Sequence, residues 1–312
     1  MASTPSSSVT TLAVQRTLAG RGPDWRGTIF ALLLLGSIVA TLAILVTLLA
    51  DQFVRGWPVY QERALDFLTS PLSSNPAKAG IGQGIVGTIM LGILVSIFCF
   101  PLGILTAVYL EEYAPENRLT RFININIRNL AGVPSIVYGL LGLTVFVAAF
   151  AALGFPNNGR NIMAGALTMT ALILPIVIIT SAEALRAVPR TLREGGYGVG
   201  ASRWQVTRKL VLPAARSGIL TGTILALARA LGETAPLLLA GAILGTFSSP
   251  GGLESLLTGP YTVLPMTVYD WSRKPQEEFR ELASAAIMAL LVITLFFNTL
   301  AILLRNRYQK QW

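Results

Sequence analysis

Six apolar runs dominate the pattern along the chain: Thr28–Ala50, Ile81–Leu110, Leu130–Leu153, Ile162–Ser181, Gly218–Leu244 and Ala283–Leu304. At 1.5 Å rise per residue, each reaches across a hydrocarbon layer of about 30 Å. Polarity does not alternate within them, so they predict helices rather than barrel strands. Five of the six contain no charged residue, and the fifth contains two, Arg229 and Glu233. Thr28–Ala50 is longer than the apolar region of a cleaved leader, and no small-residue cleavage site follows it. It reads as a retained helix. The expected fold is an all-α membrane protein with six transmembrane helices. Pro101, Pro134, Pro175 and Pro236 fall inside runs and predict kinks.

Between the runs the charges are uneven. The segments 1–27, 111–129, 182–217 and 305–312 hold 16 of the 24 Lys and Arg residues, and 51–80, 154–161 and 245–282 hold 7. The excess of cations on one set predicts that both termini are cytoplasmic. The division that follows is a cytoplasmic tail at 1–27, a first span at 28–50 and an extracytoplasmic loop at 51–80. A core of five spans at 81–304 and a cytoplasmic tail at 305–312 complete it. Residues 1–27 read as disordered. The net charge of +9 is explained by this sidedness, so no nucleic-acid partner is implied.

Composition narrows the chemistry. With 53% hydrophobic and 12% charged residues, the solvent is membrane lipid. The chain has no histidine and one cysteine, Cys99. That excludes a Ser-His-Asp triad, an intrachain disulfide and a Cys/His metal site. Cys99 lies between Phe98 and Phe100 and reads as a core residue. No Gly-rich loop ending in Gly-Lys-Ser/Thr occurs, so any ATP is bound elsewhere. No cofactor and no metal is expected. An enzyme of the lipid-modifying kind would need polar groups clustered at one membrane face, for which Glu111, Glu112 and Arg118 are faint candidates.

Several segments have structural readings. Trp25, Phe53, Trp57 and Tyr60 suit the headgroup level. The glycines at 80, 82, 84, 87 and 92 form a small-residue packing face. Residues 111–129 suit an amphipathic elbow at the surface. Tyr261, Tyr269 and Trp271 mark loop 245–282 as a docking surface for a solute-delivering protein.

The loop 182–217 exceeds what a connector needs. Thr191 and Glu194 have capping-box spacing for a short helix that Gly200 would end. A second short helix would run from Ser202 to Leu212 and break at Pro213. The result would be a knob projecting from the membrane. Alternatively, Arg186, Arg190, Arg193, Arg203, Arg208, Lys209 and Arg216 would lay a basic loop on anionic headgroups.

Arg229 and Glu233 are four residues apart and share one helical face. Either they lock helix packing as a buried pair, or Arg229 faces a path where its fork meets an oxyanion while Glu233 competes for it. Thr221, Thr223 and Thr234 offer hydroxyl donors, unless they bond back to their own helix.

The spacing Glu194-Gly195-Gly196, then Gly200, Leu210 and Leu212-Pro213 resembles the signature loop of ABC-importer permeases, with glycines in place of two alanines. Asn129–Gly139, Ala228–Leu237 and the stretch from Leu264 to Tyr308 resemble phosphate-importer permeases of the PstA type. This resemblance implies a type I ABC importer permease fold and a transport subunit that does not itself hydrolyse ATP. It implies a PstC-type permease partner, two ATP-binding subunits and an extracytoplasmic phosphate-binding protein. It makes Glu194, Gly195, Gly196, Gly200, Leu210, Leu212 and Pro213 the ATPase-coupling loop, and it places Arg229, Glu233 and Thr234 on the substrate pathway. The alternative is a permease of the same family for another oxyanion.

Overall fold

The computed structural model describes residues 25–242 and 257–308. Residues 1–24, residues 243–256, which include the end of the fifth apolar run, and residues 309–312 lie outside the described residues. The chain divides into two units, residues up to Asp51 and residues from Gln52 onward. In the first, residues 25–50 are helical and their side chains are exposed.

In chain order the helices are α1 (Trp25–Thr69), α2 (Gly82–Val108), α3 (Arg118–Ala131), α4 (Ser135–Leu141), α5 (Ala148–Ala152) and α6 (Ile162–Arg186). They continue as α7 (Arg190–Gly198), α8 (Arg203–Val206), α9 (Leu212–Gly232), α10 (Ala235–Leu239), α11 (Leu264–Ser272) and α12 (Glu277–Tyr308). Three π turns, Tyr109–Tyr113, Gly142–Val147 and Thr207–Val211, extend α2, bridge α4 to α5 and join α8 to α9. Among the described residues, six helical stretches are long and apolar enough to cross a membrane, as the six runs predict.

In the larger unit, α2, α6 and α9 form the centre. Cys99, Met169, Ile173, Val177, Ala226 and Ala230 are buried there. Close approach depends on missing side chains. A Cβ on Gly222 would sit 2.2 Å from Thr180 Oγ1, and one on Gly218 would sit 2.7 Å from the Ala184 Cβ. These two glycines, one turn apart on α9, let it press on α6. Gly84 and Gly92 on α2 do the same toward Leu264 and Leu231, as the small-residue face predicts.

The structure departs from the sequence reading in four places. The segment expected as a loop at 51–80 is helical to Thr69, with a kink at Arg63 (φ −151°, ψ 45°). There Gly56 meets the Ala285 backbone, Tyr60 donates to the Ala285 carbonyl at 2.7 Å and Phe67 is fully buried. The third and fifth runs are not single helices. Residues 132–134 separate α3 from α4, and Glu233-Thr234 separate α9 from α10. Both interruptions lie beside prolines, Pro134 and Pro236, where the sequence predicts kinks; the structure has full breaks there. Finally, the candidate docking loop is partly core: Tyr261 and Trp271 are buried, Trp271 against Phe67 and Phe279. Those two aromatics are therefore not surface residues.

Residues 111–129 do yield an amphipathic helix. No α3 side chain is buried.

Candidate functional site

The two helix breaks meet. Pro134 has no N–H to offer the Leu130 carbonyl four residues earlier. The Tyr138 hydroxyl supplies that donor instead, at 2.9 Å, and the Val133 N–H adds another at 3.1 Å. One residue on, Gly139 lets α4 lie against α10: a Cβ there would be 2.9 Å from the Pro236 Cα. Thus Asn129–Gly139 and Ala228–Leu237, two of the segments that carried the resemblance, build one structure.

At this junction α9 ends at Gly232, and Glu233 takes an extended conformation. Arg229, on the last turn of α9, donates through Nε to Glu233 Oε1 at 3.3 Å. This is a long contact for a charge-assisted bond. The Arg229 side chain is 48% exposed and that of Glu233 21%. The pair predicted from four-residue spacing therefore forms, but it is not buried. Thr234 follows in the break, half-buried, and gives no side-chain cap to α10. Thr221 and Thr223 bond back to Ser217 and Leu220 carbonyls. Thr221 also accepts from Arg305 at 3.3 Å.

Residues 182–217 form the second site. α7 begins after Pro189, so Thr191 lies inside the helix and does not cap it, contrary to the capping-box expectation. The end of α7 is as expected. Gly200 sits at φ +82°, its N–H donates to Tyr197 O at 2.9 Å, and the Ala201 N–H donates to Gly196 O at 3.1 Å. These are the paired bonds of a glycine-terminated helix. α8 opens with a reciprocal Ser202–Gln205 capping box. Pro213 does not break the second helix. The π turn Thr207–Val211 precedes it and takes up the geometry where the ring would crowd the carbonyl four residues back.

The knob is folded tightly inside and exposed at its tip. Gly196 is buried, and a Cβ there would meet Leu210 Cδ1 at 2.8 Å and Val206 Cγ2 at 2.9 Å. Glu194 and Gly195 face outward, and nothing lies within 4 Å of a Cβ added at 195. Leu210 and Leu212 are half-buried and Pro213 is exposed. Tyr197, Val199 and Trp204 are exposed at the tip, with Val199 84% accessible.

Three arginines assigned to headgroups by charge alone have protein partners. Arg193 donates to Glu112 Oε1 at 2.7 Å and to the Val188 and Leu185 carbonyls at 2.8 and 2.9 Å. Arg186 forks onto both oxygens of Glu111. Arg203 stacks over Tyr113, 5.2 Å from the ring centroid. Glu111 and Glu112 are thus engaged in ion pairs, which removes them as candidates for a catalytic cluster. Sequence reasoning missed these pairs, because their members lie 75 and 81 residues apart.

Comparison with known proteins adds an independent line. The family described as binding-protein-dependent transport system inner membrane component matches residues 99–310. The phosphate transport system permease protein PstA of Yersinia pestis is 36% identical over 230 residues, covering 73% of this chain and 72% of that protein. A Bacillus subtilis protein, the probable ABC transporter permease protein YqgH, is 39% identical over 173 residues. That match spans 54% of this chain and 55% of the relative. A chain from the crystal structure of a bacterial alginate ABC transporter, in complex with an alginate pentasaccharide-bound periplasmic protein, superposes with a TM-score of 0.63. It does so at 17% identity over 92% of this chain and 96% of that one, so the likeness speaks for the fold.

Proposed function

Because the chain belongs to the family of binding-protein-dependent transport system inner membrane components, we propose that it is the PstA-type permease subunit of an ATP-driven phosphate importer. The observation that carries this reading is the half-exposed Arg229 guanidinium at the break between α9 and α10, loosely held by Glu233. A charge in a membrane run is costly, so one that is neither buried nor tightly paired calls for a ligand. Guanidinium suits phosphate: it stays charged and offers a planar fork of donors. Interrupted helices at membrane depth are tolerated where they line a path, and transporters use such breaks at substrate sites. Arg229, Glu233 and Thr234 are then the substrate pathway, with Glu233 reclaiming the arginine as the anion leaves.

The knob formed by α7 and α8 is the proposed contact with the ATPase. Glu194, Gly195, Gly196, Gly200, Leu210, Leu212 and Pro213 are its coupling loop. Internal packing keeps it rigid, and Tyr197, Val199 and Trp204 give its tip an apolar surface suited to a cleft. The assembly comprises this chain, a PstC-type permease, two ATP-binding subunits and an extracytoplasmic phosphate-binding protein. Both termini and segment 182–217 are cytoplasmic in this reading, while segments 51–80 and 245–282 face outward.

The test is uptake by the complete transporter in proteoliposomes, offered labelled phosphate, sulfate or molybdate with matching binding proteins. Phosphate uptake that the other oxyanions do not support is the expected result. Transport of another oxyanion in place of phosphate would move the chain to the alternative, a related permease of different specificity.

A further inference from the structure

The ends of α2, α6 and the knob meet at two adjacent carboxylates. Glu111 and Glu112 lie in the π turn Tyr109–Tyr113, which closes with a bond from the Ala114 N–H to the Tyr109 carbonyl at 2.8 Å. Glu111 takes Arg186, the last residue of α6. Glu112, with its side chain 5% exposed, takes Arg193 on α7, itself 20% exposed. Arg193 also donates to the carbonyl of Leu185 in the last turn of α6 and to that of Val188 just beyond it. Those carbonyls lie where a helix runs out of its own donors. One guanidinium therefore closes the end of α6, holds α7 and binds the turn that ends α2.

An α7 of nine residues has little stability of its own. Its position relative to the membrane helices must come from tertiary contacts, and Arg193 supplies a directional one. We propose that Glu112 and Arg193 are positioning residues for energy coupling. Their ion pair makes the knob move as one body with the ends of α2 and α6, so that displacement of the knob by the ATPases reaches both membrane helices. The proposal rests on the reading of α7–α8 as the coupling loop and adds the joint through which that loop acts.

The test uses the complete transporter in proteoliposomes and measures phosphate taken up per ATP hydrolysed, alongside assembly and thermal melting. Glu112→Gln keeps the side-chain shape and removes its charge. The assembled complex should still hydrolyse ATP, with phosphate delivered per ATP reduced by about tenfold, within the range seen for changes along a coupling route. Arg193→Lys, which keeps charge but loses the fork, should fall between that variant and the parent. An assembled Glu112→Gln complex with an unchanged ratio overturns the proposal. Should that variant fail to assemble, Glu112→Cys with Arg193→Cys, in a Cys99→Ala background and bridged by a short bis-thiosulfonate, decides. Bridging should restore the ratio and reduction should abolish it again. A bridged complex that stays uncoupled overturns the proposal. Gly200→Val separates the two layers of the argument, since it strains the knob's turn directly. Uncoupling by Gly200→Val with no effect of Glu112→Gln defeats the joint alone. No effect of either defeats the coupling-loop reading itself.

Discussion

Two arginine–glutamate pairs in this chain have the same chemistry and opposite settings. Arg193 meets Glu112 at 2.7 Å, and two more of its donors go to backbone carbonyls. Arg229 meets Glu233 at 3.3 Å through one nitrogen, with nearly half of its side chain accessible. The first pair is multiply bonded and held by three separate elements. The second belongs to a single helix and its C-terminal break. A guanidinium with four of its five N–H donors engaged can fix geometry but has little left to offer a ligand. A loosely held one contributes little to folding and can exchange its partner for an anion. The difference separates an arginine that transmits force from one that meets substrate.

The sharpest way to break this contrast is to remove each arginine in turn and measure stability. Arg193→Ala leaves Glu112 buried without its partner and should cost about 3–5 kcal/mol. This would show as a large drop in the melting midpoint of the detergent-purified complex or as failure to assemble. Arg229→Ala loses an exposed contact and should cost less than about 1 kcal/mol. Equal losses would mean that the two pairs do the same work.

A smaller effect tests how tightly the knob is packed. Gly195→Ala adds a methyl into open space and should stabilise α7, by up to about 1 kcal/mol in helix propensity. Gly196→Ala carries the same propensity gain but brings a methyl to 2.8 Å from Leu210 and 2.9 Å from Val206. Those are side-chain ends that can shift, so the gain should be cancelled rather than reversed. Melting midpoints that differ by a few degrees in that order would support the packing described. Identical shifts would show that Gly196 is not confined.

How far the sequence could be read follows from the range of each interaction. The six spans were legible because hydrocarbon thickness imposes a length and apolarity leaves no ambiguity. The Arg229–Glu233 contact was legible because four-residue spacing is local. The helix breaks were legible only as kinks, at four prolines treated alike. Pro101 and Pro175 remain inside helices while Pro134 and Pro236 flank interruptions. What separates them is tertiary, namely the Tyr138 bond to Leu130 and the contact of Gly139 with Pro236. The same limit hid Arg193. Its local charge resembled that of six other cations in segment 182–217, and its partner lies 81 residues earlier. Tyr261 and Trp271 were misread as surface because their stretch is too short for a span. Burial inside a membrane protein does not require spanning length.

The most direct test of the account is labelled phosphate uptake by the complete transporter carrying Arg229→Gln, with assembly and ATP hydrolysis measured in the same proteoliposomes. The expected result is an assembled complex that still hydrolyses ATP and takes up no phosphate above background. Uptake at the parental rate would contradict it, because the guanidinium at the helix break would then have no part in moving the anion.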